Sequence, residues 1–468
     1  MSSLKFGTSG LRGLVSELTD AVCFGYSTAF LEHLIAQGAA PGTKVLVGHD
    51  LRDSSQRIAK ACMAAVDALG MTVENCETLP TPALALRAMT LRAPAIMVTG
   101  SHIPADRNGL KFYRPDGEID KADEAEINRR VGVAASPSLT NPPMNANSAA
   151  LETYVERCLS ILPANVLSGK RIGVYQHSSV ARDVMMDIAT ALGASVFPLG
   201  YSDTFVPVDT EALRPEDLAL AGAGVAEHRL DALISTDGDA DRPMLFDEKG
   251  QFVRGDLLGI LTAKFLGADA VVTPVTSTSA IEQSGLFNTV VRTKVGSPFV
   301  IAGMEEAKHQ GGRIVIGFEA NGGVLLGSDV EVVGGPLRAL PTRDAMLPML
   351  AVLGLGLKEG KTVSELVAAL PARFAASGRL EHVGPEKTGP FLEKLQDAGF
   401  RDTYFEGRGA IRAVDRIDGV RFIFGNGDTV HYRASGNAPE LRCYAETGDS
   451  TKSEVLLDWG LAKAAATL

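Results

Sequence analysis

The segment ISTDGDADRP sets Asp237, Asp239 and Asp241 at alternate positions, with Arg242 directly after them. The apolar residues Ala232, Leu233 and Ile234 predict a strand that delivers this acidic loop. Three carboxylates so close repel one another unless a cation neutralises them. Oxygen ligands of this kind suit Mg²⁺. An EF-hand also has Asp at its first, third and fifth positions, and Glu248 would fall at its twelfth. However, Arg242 stands where that loop needs glycine, and a strand precedes it instead of a helix. The phosphatase pattern DxDx[TV] fails at Asp241. A solvated acidic turn is the plain alternative.

Three further loops carry polar groups behind apolar strands. In IMVTGSHIPADRNGLKFY, Ile96, Met97 and Val98 lead to Ser101 and His102, with Lys111 beyond an irregular stretch. Ser101 sits where α/β folds place ligands and could be a nucleophile with His102 or Lys111 as acid or base. It could equally be an ordinary turn residue. In HYRASGNAPELRCYAE, Arg433, Ser435, Gly436 and Asn437 offer a guanidinium, a hydroxyl, a flexible turn and an amide. That set is either a phosphate cradle or a β-turn. In IVIGFEANGGVLLGSD, Glu319 and Asn321 suit neighbouring sugar hydroxyls, or form a turn at Asn321-Gly322. The P-loop-like GLGLKEGKT and the AGAGVAE stretch both lack a required glycine.

These loops need a scaffold, and the sequence predicts one. A strand at 45–48 is followed by a helix with Ile58, Ala61, Cys62, Ala65, Val66 and Leu69 on one face, then a strand from Met71. The same device recurs with a strand at 172–175, a helix bearing Ala181, Val184, Met185, Ile188 and Leu192, and a strand near Val196. Both helices stop at Ala-Leu-Gly. A fainter copy runs from Val271 through Leu286 to Val290 and Val291. Three related mixed α/β domains therefore precede a C-terminal α+β domain, whose antiparallel pattern is expected from about Arg401 and whose closing helix from about Ser453. The expected divisions are 1–140, 150–252, 253–372 and 376–468, with linkers at 135–149, 250–256 and 371–378.

Composition narrows the function. The 468 residues carry 45 basic and 56 acidic groups, a net charge of −11, so no general attraction draws the chain to nucleic acid or anionic lipid. A phosphorylated ligand would have to be small and held by local arginines and backbone amides. Five cysteines without a CxxC suggest neither a zinc ribbon nor a disulfide framework. No leader-like or bilayer-spanning apolar run occurs, and a reduced, soluble, cytoplasmic protein is expected.

Taken together and in this order, the loops resemble those of the α-D-phosphohexomutases, the phosphomannomutase and phosphoglucomutase superfamily. KFGTSGLRG at 5–13 is similar to the N-terminal signature, TGSHIP to the phosphoserine loop usually written TASHNP, and ISTDGDADR to the metal loop. GFEANGG resembles the sugar loop and RASGNAPELR the phosphate loop. The resemblance implies four domains around a central cleft. It also implies an isomerase in which phospho-Ser101 donates its phosphoryl group to a hexose phosphate. The hexose 1,6-bisphosphate then reorients and returns its other phosphate. Asp237, Asp239, Asp241 and Ser101 would hold Mg²⁺. Lys111 would be the acid/base, with Arg12, His102 and Arg242 around the transferring group. Glu319, Asn321, Thr293 and Gly296 would meet the sugar; Arg433, Ser435, Gly436 and Asn437 would hold the phosphate that is not transferred.

Some positions depart from the family pattern. Gly100 replaces Ala, Ile103 replaces Asn, and Asn437-Ala438 replaces a common Thr-Glu. The sugar loop lacks the Ser-Gly-His of many bacterial members, so the chain looks more like a phosphomannomutase branch than a phosphoglucosamine mutase. The expected reaction interconverts mannose 6-phosphate and mannose 1-phosphate. Phosphoglucomutase, phosphoglucosamine mutase, a sugar phosphatase and a non-catalytic sugar-phosphate binder are the alternatives.

Overall fold

The computed structural model describes residues 3–7, 10–40, 42–132, 146–435 and 439–468. Three mixed α/β units follow one another, each with the same central strand order. In the first, Lys44–His49 pairs in parallel with Thr72–Thr78 on one side and Ala95–Val98 on the other. Ala95–Val98 then returns antiparallel as Arg107–Arg114. The second unit repeats this with Arg171–His177, Ser195–Tyr201, Ala232–Thr236 and the returning Pro243–Phe246. The third uses Ala270–Pro274, Thr289–Thr293, Val315–Phe318 and the returning Val324–Leu326. In every unit the motif loop connects the third of these strands to the fourth. The three loops are 99–106, 237–242 and 319–323.

Local sequence explains the supporting helices. Ser55–Ala68 buries Ile58, Ala61, Cys62, Ala65 and Val66, and Arg182–Ala191 buries Val184, Met185, Ile188 and Ala189. Each large apolar side chain so buried contributes roughly 1.5–3 kcal/mol. Both helices end at a left-handed glycine, Gly70 at φ +66° and Gly193 at φ +94°, a conformation that glycine adopts without steric cost.

The C-terminal unit departs from expectation. Its antiparallel sheet runs in the order Phe374–Glu381, Glu440–Thr447, Thr429–Ala434, Val420–Phe424, Ile411–Asp415. Arg401 lies in helix Ala398–Tyr404, and the sheet already includes Phe374–Glu381, paired with Glu440–Thr447 over its whole length. That strand has little apolar alternation, so only its distant partner identifies it. The expected linker at 371–378 is thus largely strand. The one at 250–256 holds the edge strand Phe252–Val253 and the start of helix Gly255–Leu266. Of the linker at 135–149, residues 135–145 lie outside the described residues, and Ala149 opens helix Ala149–Ser160. The closing helix, Ser450–Ala465, starts before Ser453 because the Asp449 side chain caps it by accepting from Lys452 N at 2.9 Å.

One apolar cluster runs through the first three units, whereas the C-terminal unit has its own. Polar contacts join the two parts. Arg254 Nη1 donates to the Ala375 carbonyl at 2.7 Å, and Thr278 Oγ1 to Glu446 Oε1 at 2.6 Å. All five cysteines are buried free thiols, and burial pushes Cys62, Cys76 and Cys443 up to about 12. Among the described residues no helix is long and apolar enough to cross a membrane.

Two buried histidines give the fold a pH dependence. Burial pushes His177 and His431 down to about 4, while the unfolded chain protonates them near 6.5. Between those values the unfolded state binds more protons, so stability falls as pH drops from about 6.5 toward 4. The expected loss at pH 5 is roughly 2 kcal/mol for each histidine. Urea unfolding at several pH values should show a shallower acid slope for His431→Gln. An unchanged slope would mean that His431 titrates alike in both states.

Candidate active site

The acidic loop is the turn between Ala232–Thr236 and Pro243–Phe246, closed by Asp237 N donating to the Arg242 carbonyl at 3.0 Å. Asp237, Asp239 and Asp241 are all buried, with ligand oxygens within 4.8 Å of one another. Among the described residues this is the only group of three or more acidic, histidine or cysteine side chains close enough to hold a metal ion. Asp239 Oδ1 and Asp241 Oδ1 are buried without a hydrogen-bond partner. Unpartnered carboxylate oxygens facing hard-ligand neighbours fit a divalent cation such as Mg²⁺.

Ser101 meets this loop from the first unit. Its Oγ donates to Asp237 Oδ2 at 2.6 Å and lies 3.2 Å from His102 Nδ1. Ser101 adopts φ +52°, a left-handed conformation that a non-glycine residue holds only when its surroundings impose it. His102 is held well below its ordinary value by burial and by Arg242 and Arg12, so it is neutral. Arg12 lies on Leu11–Leu14, paired beside Arg107–Arg114, and burial with Arg242 nearby brings it down to about 10.

Lys111 Nζ donates to Asp239 Oδ2 and Asp241 Oδ2, both at 2.6 Å. Burial opposes its charge, but the two carboxylates more than reverse this and raise its pKa. Burial, with Asp239 and Asp241 close by, pushes Asp237 well above the usual carboxylate range. Asp241 is likewise buried, yet Arg343 and Lys111 hold it low.

The third unit contributes Glu319, whose Oε1 accepts from Gly296 N at 3.2 Å and whose Oε2 accepts from Arg343 Nη1 at 2.9 Å. Asn321 Oδ1 accepts from Gly323 N at 3.0 Å. Thr293 ends its strand with its hydroxyl donating to the Lys294 carbonyl at 2.9 Å. From the fourth unit, Arg433 Nε donates to Asp418 Oδ2 at 2.6 Å, and the same oxygen accepts from Val295 N at 3.0 Å. Ser435 N donates to the Glu440 carbonyl at 3.0 Å. Gly436 and Asn437 lie outside the described residues.

Other residues at this site carry no motif of their own. Arg343, at the end of the third sheet, donates to Asp241 Oδ2 through Nε at 3.1 Å and Nη2 at 2.8 Å, and so links the acidic loop to Glu319. A Cβ at Gly323 would lie 2.5 Å from Arg343 Cδ, so the glycine leaves the room that this arginine fills. Thr81 Oγ1 donates to Asp239 Oδ2 at 2.6 Å. The only local signals were an arginine before a long apolar helix and a threonine before Pro82. Beside this centre opens a cleft of about 610 Å³, lined by Lys5, Arg12, Arg107, Arg379 and Arg442 against Asp209 and Glu440. Its cationic excess suits a phosphorylated ligand despite the acidic chain.

The sequence matches the phosphoglucomutase/phosphomannomutase α/β/α domain I over residues 3–136, domain II over 152–250 and domain III over 254–374. It is 47% identical to a phosphomannomutase of Sinorhizobium fredii, covering 98% of each chain. It is 44% identical to one of Salmonella muenchen over 95% of this chain and 92% of that one. The crystal structure of a phosphoglucomutase/phosphomannomutase family protein from Burkholderia thailandensis shares the fold. Its TM-score is 0.77 at 21% identity, over 98% of this chain and 97% of that one. This chain therefore belongs to the phosphoglucomutase/phosphomannomutase family and is a phosphohexomutase, an isomerase.

Proposed function

We propose that the protein interconverts mannose 6-phosphate and mannose 1-phosphate through phospho-Ser101 and a hexose 1,6-bisphosphate. The observation that carries this reading is the meeting of Ser101 Oγ with Asp237 inside a buried three-carboxylate loop. The 44–47% identity to phosphomannomutases supports mannose as the sugar.

Ser101 Oγ carries the phosphoryl group, and the free hydroxyl of the bound hexose phosphate attacks its phosphorus. The Ser101 Oγ–P bond breaks as the sugar O–P bond forms, and the bisphosphate then returns its other phosphoryl group to Ser101. Lys111, held as an ammonium, protonates the departing Ser101 Oγ and takes up the proton that the attacking hydroxyl loses, so it leaves the step as it entered. Neutral His102 orients Ser101 Oγ without adding charge. Asp237, Asp239 and Asp241 would hold Mg²⁺, which when bound neutralises charge on the transferring group. Glu319 and Asn321 read sugar hydroxyls, and Gly296 fixes Glu319 through its amide. Arg433 and Ser435, with Gly436 and Asn437, grip the phosphate that stays, in either orientation of the sugar. The four divisions at 1–140, 150–252, 253–372 and 376–468 each supply one of these loops.

A coupled assay with mannose 1-phosphate, glucose 1-phosphate and glucosamine 1-phosphate should give the highest kcat/KM on mannose. A preference for glucosamine would overturn the assigned substrate. Ser101→Ala should fold normally yet lose several orders of magnitude in turnover. Intact-mass analysis should find phosphate on the wild type and none on this variant; near-normal turnover would end the nucleophile assignment. Asp239→Asn should weaken Mg²⁺ binding by calorimetry and lower kcat together, because one anionic ligand becomes neutral. Unaltered Mg²⁺ affinity would mark the loop as a structural turn.

A further inference from the structure

Arg52 follows strand Lys44–His49, is 3% exposed, and spends all five N–H donors inside the protein. Nε donates to Asp50 Oδ2 at 3.2 Å. Nη1 donates to the carbonyls of Pro104 at 2.8 Å and Arg107 at 3.0 Å. Nη2 donates to those of Ser101 at 2.9 Å and Ile103 at 2.6 Å. Three carbonyls of the irregular loop 99–106 and that of Arg107, which opens the next strand, thus converge on a single planar cation. Pro104 O also accepts from Arg107 N at 3.1 Å, and loss of the guanidinium would take a charge-assisted donor from each of the four. No donor of Arg52 remains for a ligand, so phosphate binding is not its task.

Asp50 holds the other side of the same loop. It accepts from Thr99 Oγ1 at 2.8 Å and Gly100 N at 3.3 Å, and Thr99 Oγ1 accepts from Ser101 N at 2.8 Å. The Arg52 guanidinium also stacks on Phe205 of the second unit, with Cζ 3.8 Å from the ring centroid. That ring borders the acidic loop as well. A Cβ at Gly238 would come within 2.9 Å of Phe205 and 3.0 Å of the Ser101 carbonyl oxygen. Arg52 therefore lies against both the serine loop and the ring that limits the acidic loop.

The geometry points to Arg52 as the positioning residue for phosphoryl transfer. It moulds loop 99–106 so that Ser101 stays left-handed with Oγ on Asp237, and through Phe205 it sets that loop against the carboxylates. It touches no substrate and acts through Ser101, so the inference rests on Ser101 being the nucleophile. A lysine cannot take its place, since three ammonium donors cannot reproduce a five-donor plane.

Arg52→Lys, Phe205→Leu and Ser101→Ala, each as the full chain, test it. Turnover of the Arg52 and Phe205 variants is expressed per molecule able to take phosphate from glucose 1,6-bisphosphate, counted by intact mass, and that of Ser101→Ala per mole of chain, beside KM for mannose 1-phosphate and the melting temperature. Arg52→Lys should lose about 100-fold in kcat with KM within about threefold, the signature of a misplaced nucleophile. Phe205→Leu keeps the five hydrogen bonds and should lose roughly five- to tenfold. A merely structural role would lower melting temperature and the competent fraction while leaving kcat per competent molecule unchanged, and that result overturns the assignment. If Arg52→Lys fails to fold, Phe205→Leu decides by the same criterion. If Ser101→Ala retains turnover, the nucleophile reading fails instead.

Discussion

The 2.6 Å hydrogen bond from Ser101 Oγ to Asp237 Oδ2 spans 136 residues and joins two separately built sheets. Both groups are buried, so this contact commits the protein to placing three carboxylates and their partners away from water. Such a cluster persists only if its charges balance locally. Around it stand Asp237, Asp239, Asp241 and Glu319 against Arg12, Lys111, Arg242 and Arg343, drawn from all three α/β units. Removing one partner of such a buried pair leaves the other uncompensated, which costs about 3–5 kcal/mol. The relative placement of the units is therefore tied to the electrostatics of the site.

The repeated topology makes this placement possible. A loop leaving the carboxyl end of a parallel strand emerges where α/β sheets expose ligand sites. Three units that share a central four-strand order deliver three such loops, which present a serine, a set of carboxylates, and a glutamate with an asparagine. The fourth unit stands apart, with its own apolar cluster and polar attachment through Glu446, Ala375 and Asp418. It contributes Arg379 and Arg442 to a cleft whose other wall includes Arg12 and His102. An acidic protein thereby gathers a local excess of basic side chains at this cleft.

Most of what local pattern can encode was legible in the sequence. Asp237, Asp239, Asp241, Ser101 and Glu319 each follow an apolar strand, and the strand-to-loop transition is a signal spanning a few residues. The two helices ending at Gly70 and Gly193 were equally local, because a left-handed stop depends on the glycine itself. The acidic loop was visible as a cluster because three carboxylates at alternate positions share one turn. Tertiary structure alone decided the rest. Arg52 and Arg343 look like any charged residue near a strand end until four carbonyls, or two carboxylates from distant loops, close on them. Thr81 acquires meaning only when Asp239 arrives from another unit. Strand Phe374–Glu381 reads as a linker because its pairing with Glu440–Thr447 is made by backbone groups common to every residue. Side-chain periodicity reports which face of an element is buried, but it cannot report which distant atoms a guanidinium or a backbone amide will meet.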